Sequence, residues 1–270
     1  MINNSNQEKF DKFRDKFNCL TFEKFTSTLT ADKTLEVIFE FHIDETIFFK
    51  PTLKIPYRKF YDSFYYSNDI SALDSIIFHI GMVELVSYWK AVCPKNIVIK
   101  PFTLNASQID FWRKIYFNGL GEFFYTNSIK TDIDKFVDIN SCGSNQLTIL
   151  PLSNSNKAII PVGGGKDSAV TLSFAHKLYE ESIPLILNPR GATLSTIEVA
   201  GYHCNDIIEI QRTIDPTLLK LNSEGYLNGH TPFSALLAFT TLLTSTLANI
   251  PNVLLSNESS ANEATVIGSE

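Results

Sequence analysis

The chain has 270 residues, 44% of them hydrophobic and 19% charged, enough for two modest domains or one large one and too apolar for a disordered polymer. Its 23 basic and 29 acidic side chains leave a net charge of −6, which argues against nucleic acid as the main partner, because phosphate binding draws on clustered Lys and Arg. The first ten residues are polar and lack the apolar stretch of a signal peptide. Cys19, Cys93, Cys142 and Cys204 form no C-x-x-C pair, so a disulfide framework or thiolate zinc site is disfavoured and a reducing cytoplasm is the simplest home.

In chain order, residues 34–41 (T-L-E-V-I-F-E-F) carry the β-branched and aromatic content of a strand. Ser71-x-x-Asp74 reads as a capping box opening a long helix that runs to Ala91 and stops at Pro94. Residues 96–100 suit a strand, and a second helix is expected from Ala106 to about Phe117, closed by Gly119. The polar stretch 131–156 reads as a linker. Beyond it the register changes. Strands are expected at 157–162, 184–188, 206–211 and 252–256, alternating with helices near 168–181 and 193–200 and from Pro216 and Pro232. That alternation predicts a parallel sheet with right-handed crossovers. The expected fold is α/β: an α+β domain over residues 1–150, then a parallel-sheet nucleotide-binding domain over 157–270. Residues 231–257 hold no charge and are long enough to span a bilayer, but they are rich in Ser and Thr and cut by Pro251. They split into a buried helix and a strand, and no membrane contact is expected.

The sharpest signal is Pro161-Val-Gly-Gly-Gly-Lys-Asp-Ser168 between a strand and a helix. Gly163, Gly164 and Gly165 let the backbone approach an anion and adopt positive φ. The following helix start then presents free N–H groups and the favourable end of its dipole. Lys166 adds a point charge and Ser168 a hydroxyl, while Asp167 beside a phosphate makes sense as a Mg²⁺ ligand or as a group orienting the loop amides. A P-loop fails, because Lys166 is followed by Asp. The dinucleotide fingerprint fails for want of a third glycine after Ser168. The loop resembles the pyrophosphatase-type PP-loop S-G-G-x-D-S with Gly163 in place of the first Ser. That resemblance implies ATP cleavage between the α and β phosphates.

Further segments narrow the resemblance. These are S-Y-W-K-A at 87–91, G-L-G-E-F at 119–123, Tyr125 to Asn127, Q-R-T-I-D-P at 211–216, L-N-G-H-T-P at 227–232, L-S-N-E at 255–258 and S-A-N at 260–262. As a set, from about residue 30 to the end, they resemble the MurL family, the UDP-N-acetylmuramoyl-L-alanyl-L-glutamate epimerases of bacterial peptidoglycan synthesis. The resemblance implies ATP- and Mg²⁺-dependent inversion of a terminal L-glutamate through an acyl-adenylate, with release of AMP and pyrophosphate. Family members are longer and continue past the position of Glu270. A pyrophosphatase-type sheet also usually has a fifth strand where four are counted here, so part of the site is expected outside this sequence.

On this reading His230 is a candidate base, neutral near pH 7 and set at a helix start. Glu258 follows the last strand at its carboxyl end and is a candidate for Mg²⁺ binding or proton transfer, and Asp167 is the other candidate metal ligand. Arg190 and Arg212 offer guanidinium forks for carboxylate or phosphate, and Asn257 and Asn262 are weaker candidates for substrate. The cysteines and the other histidines read as packing or surface residues. The expected partner is the UDP-MurNAc dipeptide, with no protein partner implied. Two alternatives stand: another AMP-forming PP-loop enzyme, a ligase, amidating or tRNA-modifying one, and a nucleotide-binding module without catalysis.

Overall fold

The computed structural model describes residues 5–32, 34–56, 70–151 and 154–257. The N-terminal helix α1 (Ser5–Lys16) leads into β1 (Cys19–Leu29), β2 (Thr34–Ile43), β3 (Ile47–Phe49) and β4 (Thr52–Pro56). Next come α2 (Asp74–Trp89), β5 (Asn96–Ile99), α3 (Ala106–Gly119), α4 (Gly121–Thr126), α5 (Ile133–Phe136) and β6 (Asp138–Ser141). The second half runs β7 (Lys157–Pro161), α6 (Lys166–Leu178), β8 (Glu181–Leu187), α7 (Gly191–Val199), β9 (Ile208–Thr213), α8 (Pro216–Ser223), α9 (Phe233–Ala248) and β10 (Asn252–Val253).

The strands form one mixed sheet in the order β10-β7-β8-β9-β4-β2-β1-β5-β6, with β3 paired to β2. From β10 through β9 all neighbours are parallel, as the alternation of strands and helices predicts. The two halves of the chain meet where β9 pairs antiparallel with β4, Thr52 opposite Thr213 and Lys54 opposite Gln211. The α/β expectation is therefore met as a mixed α/β sheet that runs on across both halves of the chain.

Alternation along the parallel strands feeds two cores. Ile159, Leu185, Ile208 and Ile210 join the large core shared with α2 and α9. Ile160 and Ile186 face the other way, into a smaller core with Leu172 and Ala175 of α6 and Ile197 of α7. Helices thus cover opposite faces on either side of β7: α6 follows it, while α9 precedes β10 on the far face. In an open α/β sheet such a reversal is where ligands enter, beyond the strands' carboxyl ends.

Several expectations need correction. No side chain caps α2; a 3-10 turn at Ile70–Leu73 leads into it and puts Leu73, which has no capping oxygen, at the N-cap position. The polar stretch 131–156 is not a bare linker. It contains α5 and β6, and β6 extends the sheet by pairing with β5. Helix α6 starts at Lys166 and not at Ser168, which places Asp167 in its first turn. The uncharged stretch after Thr231 does form a helix and a short strand, with Leu236, Leu243 and Leu247 of α9 buried. Among the described residues, Ser71–Trp89 is long and apolar enough to cross a membrane, and 72% of its apolar window is buried inside the protein.

Candidate functional site

The glycine loop lies at the carboxyl end of β7. Gly164 has φ +85°, and a Cβ there would stand 3.0 Å from Cγ2 of Thr193, so glycine is required by both conformation and space. Gly165 is the N-cap of α6 and carries no side chain to occupy the free N–H groups of the first turn. The buried Ser168 hydroxyl accepts from the Gly163 N–H at 3.1 Å. The oxygen therefore shapes the loop, and its own O–H is not used by that bond. Asp167 is half-buried, and Lys166 is exposed.

Beyond the loop opens a cleft of about 530 Å³ whose walls include Gly163, Asn188, Arg190, Thr193, Arg212 and Phe233. Arg190 precedes α7, and its carbonyl and N–H both pair with the Thr193 hydroxyl at 2.6 and 3.0 Å. That pairing fixes the backbone and leaves the Arg190 side chain exposed at the rim. Arg212 is held otherwise. Its Nε and Nη2 both donate to the carboxylate of Glu84 on α2, the latter at 2.9 Å, and Nη2 also reaches Ser87 Oγ at 3.5 Å. Asn188, in the left-handed region at φ 53°, locks the adjacent strand ends by bonding both the N–H and the carbonyl of Arg212.

A second cleft, of about 700 Å³, shares Phe233 with the first and is lined by Lys90, Gly119, Glu122, Gly229 and His230. His230 sits two residues ahead of Pro232, the N-cap of α9, and not at the helix start itself. Its Nδ1 meets the Glu122 carboxylate at 2.5 Å. With the proton on Nδ1, as that contact dictates for a neutral ring, Nε2 is left with a lone pair to accept a proton. The Lys90 ammonium donates to the Gly229 carbonyl, and Asn127 Nδ2 donates to the Asn228 carbonyl at 3.0 Å. Gly119 packs on Pro232 and Gly229 on Phe123, each too closely to admit a Cβ without movement.

The scattered segments 87–91, 119–123 and 227–232 therefore converge on one cleft. Of the predicted site residues, Gly163, Gly164, Gly165, Lys166, Asp167, Ser168, Arg190 and Arg212 gather at the loop cleft or its edge, and His230 stands in the neighbouring cleft. Asn257 is exposed after β10, and Glu258 and Asn262 lie outside the described residues. No group of three or more His, Cys, Asp or Glu suited to a metal occurs among the described residues. Sequence reasoning passed over Glu84 and Lys90. Past Asp74 in its first turn, Glu84 is the one charge within apolar α2, and Lys90 follows directly at its C-cap; such placements oblige a buried partner and could have flagged both.

Fold and clefts together define an α/β protein with a glycine-rich strand-to-helix turn at the reversal point of a parallel sheet segment. The chain belongs to the MurL N-terminal domain family, whose model matches residues 12–269 and so takes in the glycine loop and both clefts. It is similar to proteins named UDP-N-acetyl-alpha-D-muramoyl-L-alanyl-L-glutamate epimerase. The Micromonospora and Salinispora tropica proteins are each 28% identical over 198 residues, covering 73% of this chain and 43% and 42% of their own lengths. The Xanthomonas oryzae protein is 29% identical over 182 residues, 67% of this chain and 39% of its own length. The chain thus spans about two-fifths of the curated relatives it matches. No solved structure matches it.

Proposed function

We propose that this chain carries the nucleotide-activating and proton-transfer clefts of an ATP-dependent epimerase that inverts the terminal L-glutamate of UDP-MurNAc-L-Ala-L-Glu in peptidoglycan precursor synthesis. The observation that carries the reading is the placement of the glycine-loop cleft and the His230–Glu122 cleft on either side of Phe233. An activating phosphate on one side and a base on the other are what such an inversion needs. A free carboxylate resists loss of its α-proton because the product would be a dianion. As an acyl-adenylate it behaves like an ester, and every 1.4 kcal/mol taken from the barrier is about a factor of ten in rate.

In this reading ATP is a substrate held by the loop. The N–H groups of the loop and of the first turn of α6 bind its phosphates with the aid of the helix dipole, and Lys166 adds charge. Its cleavage between the α and β phosphates makes this a PP-loop enzyme, and a site of action in the cytoplasm goes with a nucleotide-linked substrate. Mg²⁺ needs only one or two carboxylates when nucleotide phosphates and water complete its shell, which Asp167 can supply from the first turn of α6. When bound, Mg²⁺ neutralises charge on the departing pyrophosphate. His230 Nε2 takes the α-proton, and Glu122 keeps the ring oriented and stabilises the imidazolium, as the carboxylate does in a catalytic triad.

The test is turnover in heavy, ¹⁸O-labelled water with UDP-MurNAc-L-Ala-L-Glu, ATP and Mg²⁺. The expected products are AMP, pyrophosphate and a D-glutamyl product deuterated at Cα with one ¹⁸O in its carboxylate. Asp167→Ala should abolish AMP release and leave the fold intact. D-glutamyl product formed without ATP, or ADP in place of AMP, refutes the reading.

A further inference from the structure

The second cleft holds a charged group to which the proposed reaction has so far given no task. Lys90 follows α2 directly, in the segment 87–91, and is only 7% exposed. Its Nζ donates to the carbonyl of Gly229, the residue before His230, and it lines the same cleft as His230 and Glu122. The charges around it come from every side. Arg212 on β9 repels it, Glu84 on its own helix is engaged by Arg212, and Glu122 on α4 is engaged by His230. No carboxylate is therefore bonded to Lys90 among the described residues. Burial first, and then Arg212, push its pKa down to about 8. That leaves the amine protonated at pH 7 but a far better proton donor than a surface lysine.

Inversion at carbon has a geometric requirement. The returning proton must reach the face opposite the one that lost it. His230 is tethered by Glu122, and a single base that removes the proton from one face does not by itself deliver one to the other. We propose that Lys90 is the second proton-transfer residue of the cleft, giving its proton to the face of the glutamyl Cα opposite His230. This rests on the epimerase reading above. His230 Nε2 takes the α-proton, and the C–H electron pair moves into the neighbouring carbonyl as an enolate. One N–H bond of the Lys90 ammonium then breaks as the new Cα–H bond forms and the carbonyl is restored. Lys90 ends neutral and His230 protonated, and exchange with solvent resets both. In the reverse direction neutral Lys90 is the base.

The test substitutes Lys90→Met, which keeps an apolar stem in the buried position. In heavy water, with ATP, Mg²⁺ and the L-glutamyl substrate, the variant should still wash deuterium into recovered substrate at a tenth or more of the parent rate. D-product should fall at least 100-fold. Lys90→Arg keeps the charge but holds its protons too tightly to give one up, and should behave as Lys90→Met does. Equal losses of exchange and inversion, inversion within tenfold of the parent, or rescue by arginine would each overturn the proposal. A second measurement needs no turnover. Bound UDP-MurNAc-L-Ala-L-Glu should shield Lys90 at least fivefold from reductive methylation, read by peptide mass spectrometry against the exposed Lys95; equal labelling overturns the assignment. Shielding without AMP release by the parent protein would count against adenylation while supporting Lys90.

Discussion

Replacing Arg212 by methionine isolates the energetics of the ion pair that ties β9 to α2. The Glu84 side chain is 3% exposed and that of Arg212 14%, so the carboxylate lies deeper than its partner. Losing Arg212 strands a buried charge, which costs about 3–5 kcal/mol. That is a fifth or more of the roughly 5–15 kcal/mol by which a typical domain is stable. With a urea slope of about 3 kcal/mol/M, the midpoint should fall by somewhat more than 1 M. Glu84→Leu should cost less, about 1–2 kcal/mol, because a guanidinium at the cleft edge can turn toward water. The double variant should recover most of the loss, since a buried pair replaced by apolar residues of similar size is often close to neutral. Urea unfolding of the parent and all three variants completes the cycle. A loss below about 1 kcal/mol for Arg212→Met, or a double variant no more stable than that single, would mean that Glu84 finds other partners or water and that the pair does not anchor the sheet.

Gly164→Ala should weaken nucleotide binding and cost about 1–2 kcal/mol, because φ +85° is strained for any side chain and the new methyl meets Thr193; unaltered thermal stability and ATP affinity would contradict this. Gly81→Ala should destabilise the protein by about 1–3 kcal/mol despite alanine's better helix propensity, since its Cβ would fall 2.4 Å from Cζ of Phe22; thermal melting decides the sign. His79 packs between Trp112 and Phe239, and burial lowers its pKa against the opposing hydrogen bond to the Ser75 carbonyl. The unfolded chain then binds the extra proton first, so this contribution is complete above about pH 6.5 and is lost as pH falls from there toward the lower folded value. His79→Gln should flatten the stability profile below that pH, and a slope identical to that of the parent would rule out His79 as its source.

What the sequence disclosed follows from how local each cause is. The turn from β7 into α6 needs only an apolar run, three glycines and a helix start, all within about fifteen residues, and its placement was legible to within two positions. Strand β6 was not. Only Ile139 of its four residues is buried, and it is a strand because β5 lies beside it. The Ser71 signal misled because a capping box matters only when its first residue occupies the N-cap, and a 3-10 turn displaced it. His230 was named from its own chemistry, while Glu122 and Lys90 acquire meaning only when α4 and the end of α2 are brought to the 227–232 loop. Distance in sequence hid them.

The join between β4 and β9 also has a temporal side. While the chain emerges from a ribosome at about 5–20 residues per second, β4 waits for a partner that arrives about eight to thirty seconds later. In that interval β4 has β2 on one flank and an open edge on the other, the kind of edge that recruits neighbouring polypeptides. The alternation of Lys54 between the inward Leu53 and Ile55 puts a charge in the middle of that short strand. The Glu36–Lys54 pair then keeps the waiting edge hydrated without leaving an unbalanced charge once β9 docks. A lysine that contributes little to the finished sheet thus has its use beforehand, as a guard against nascent chains sticking to one another.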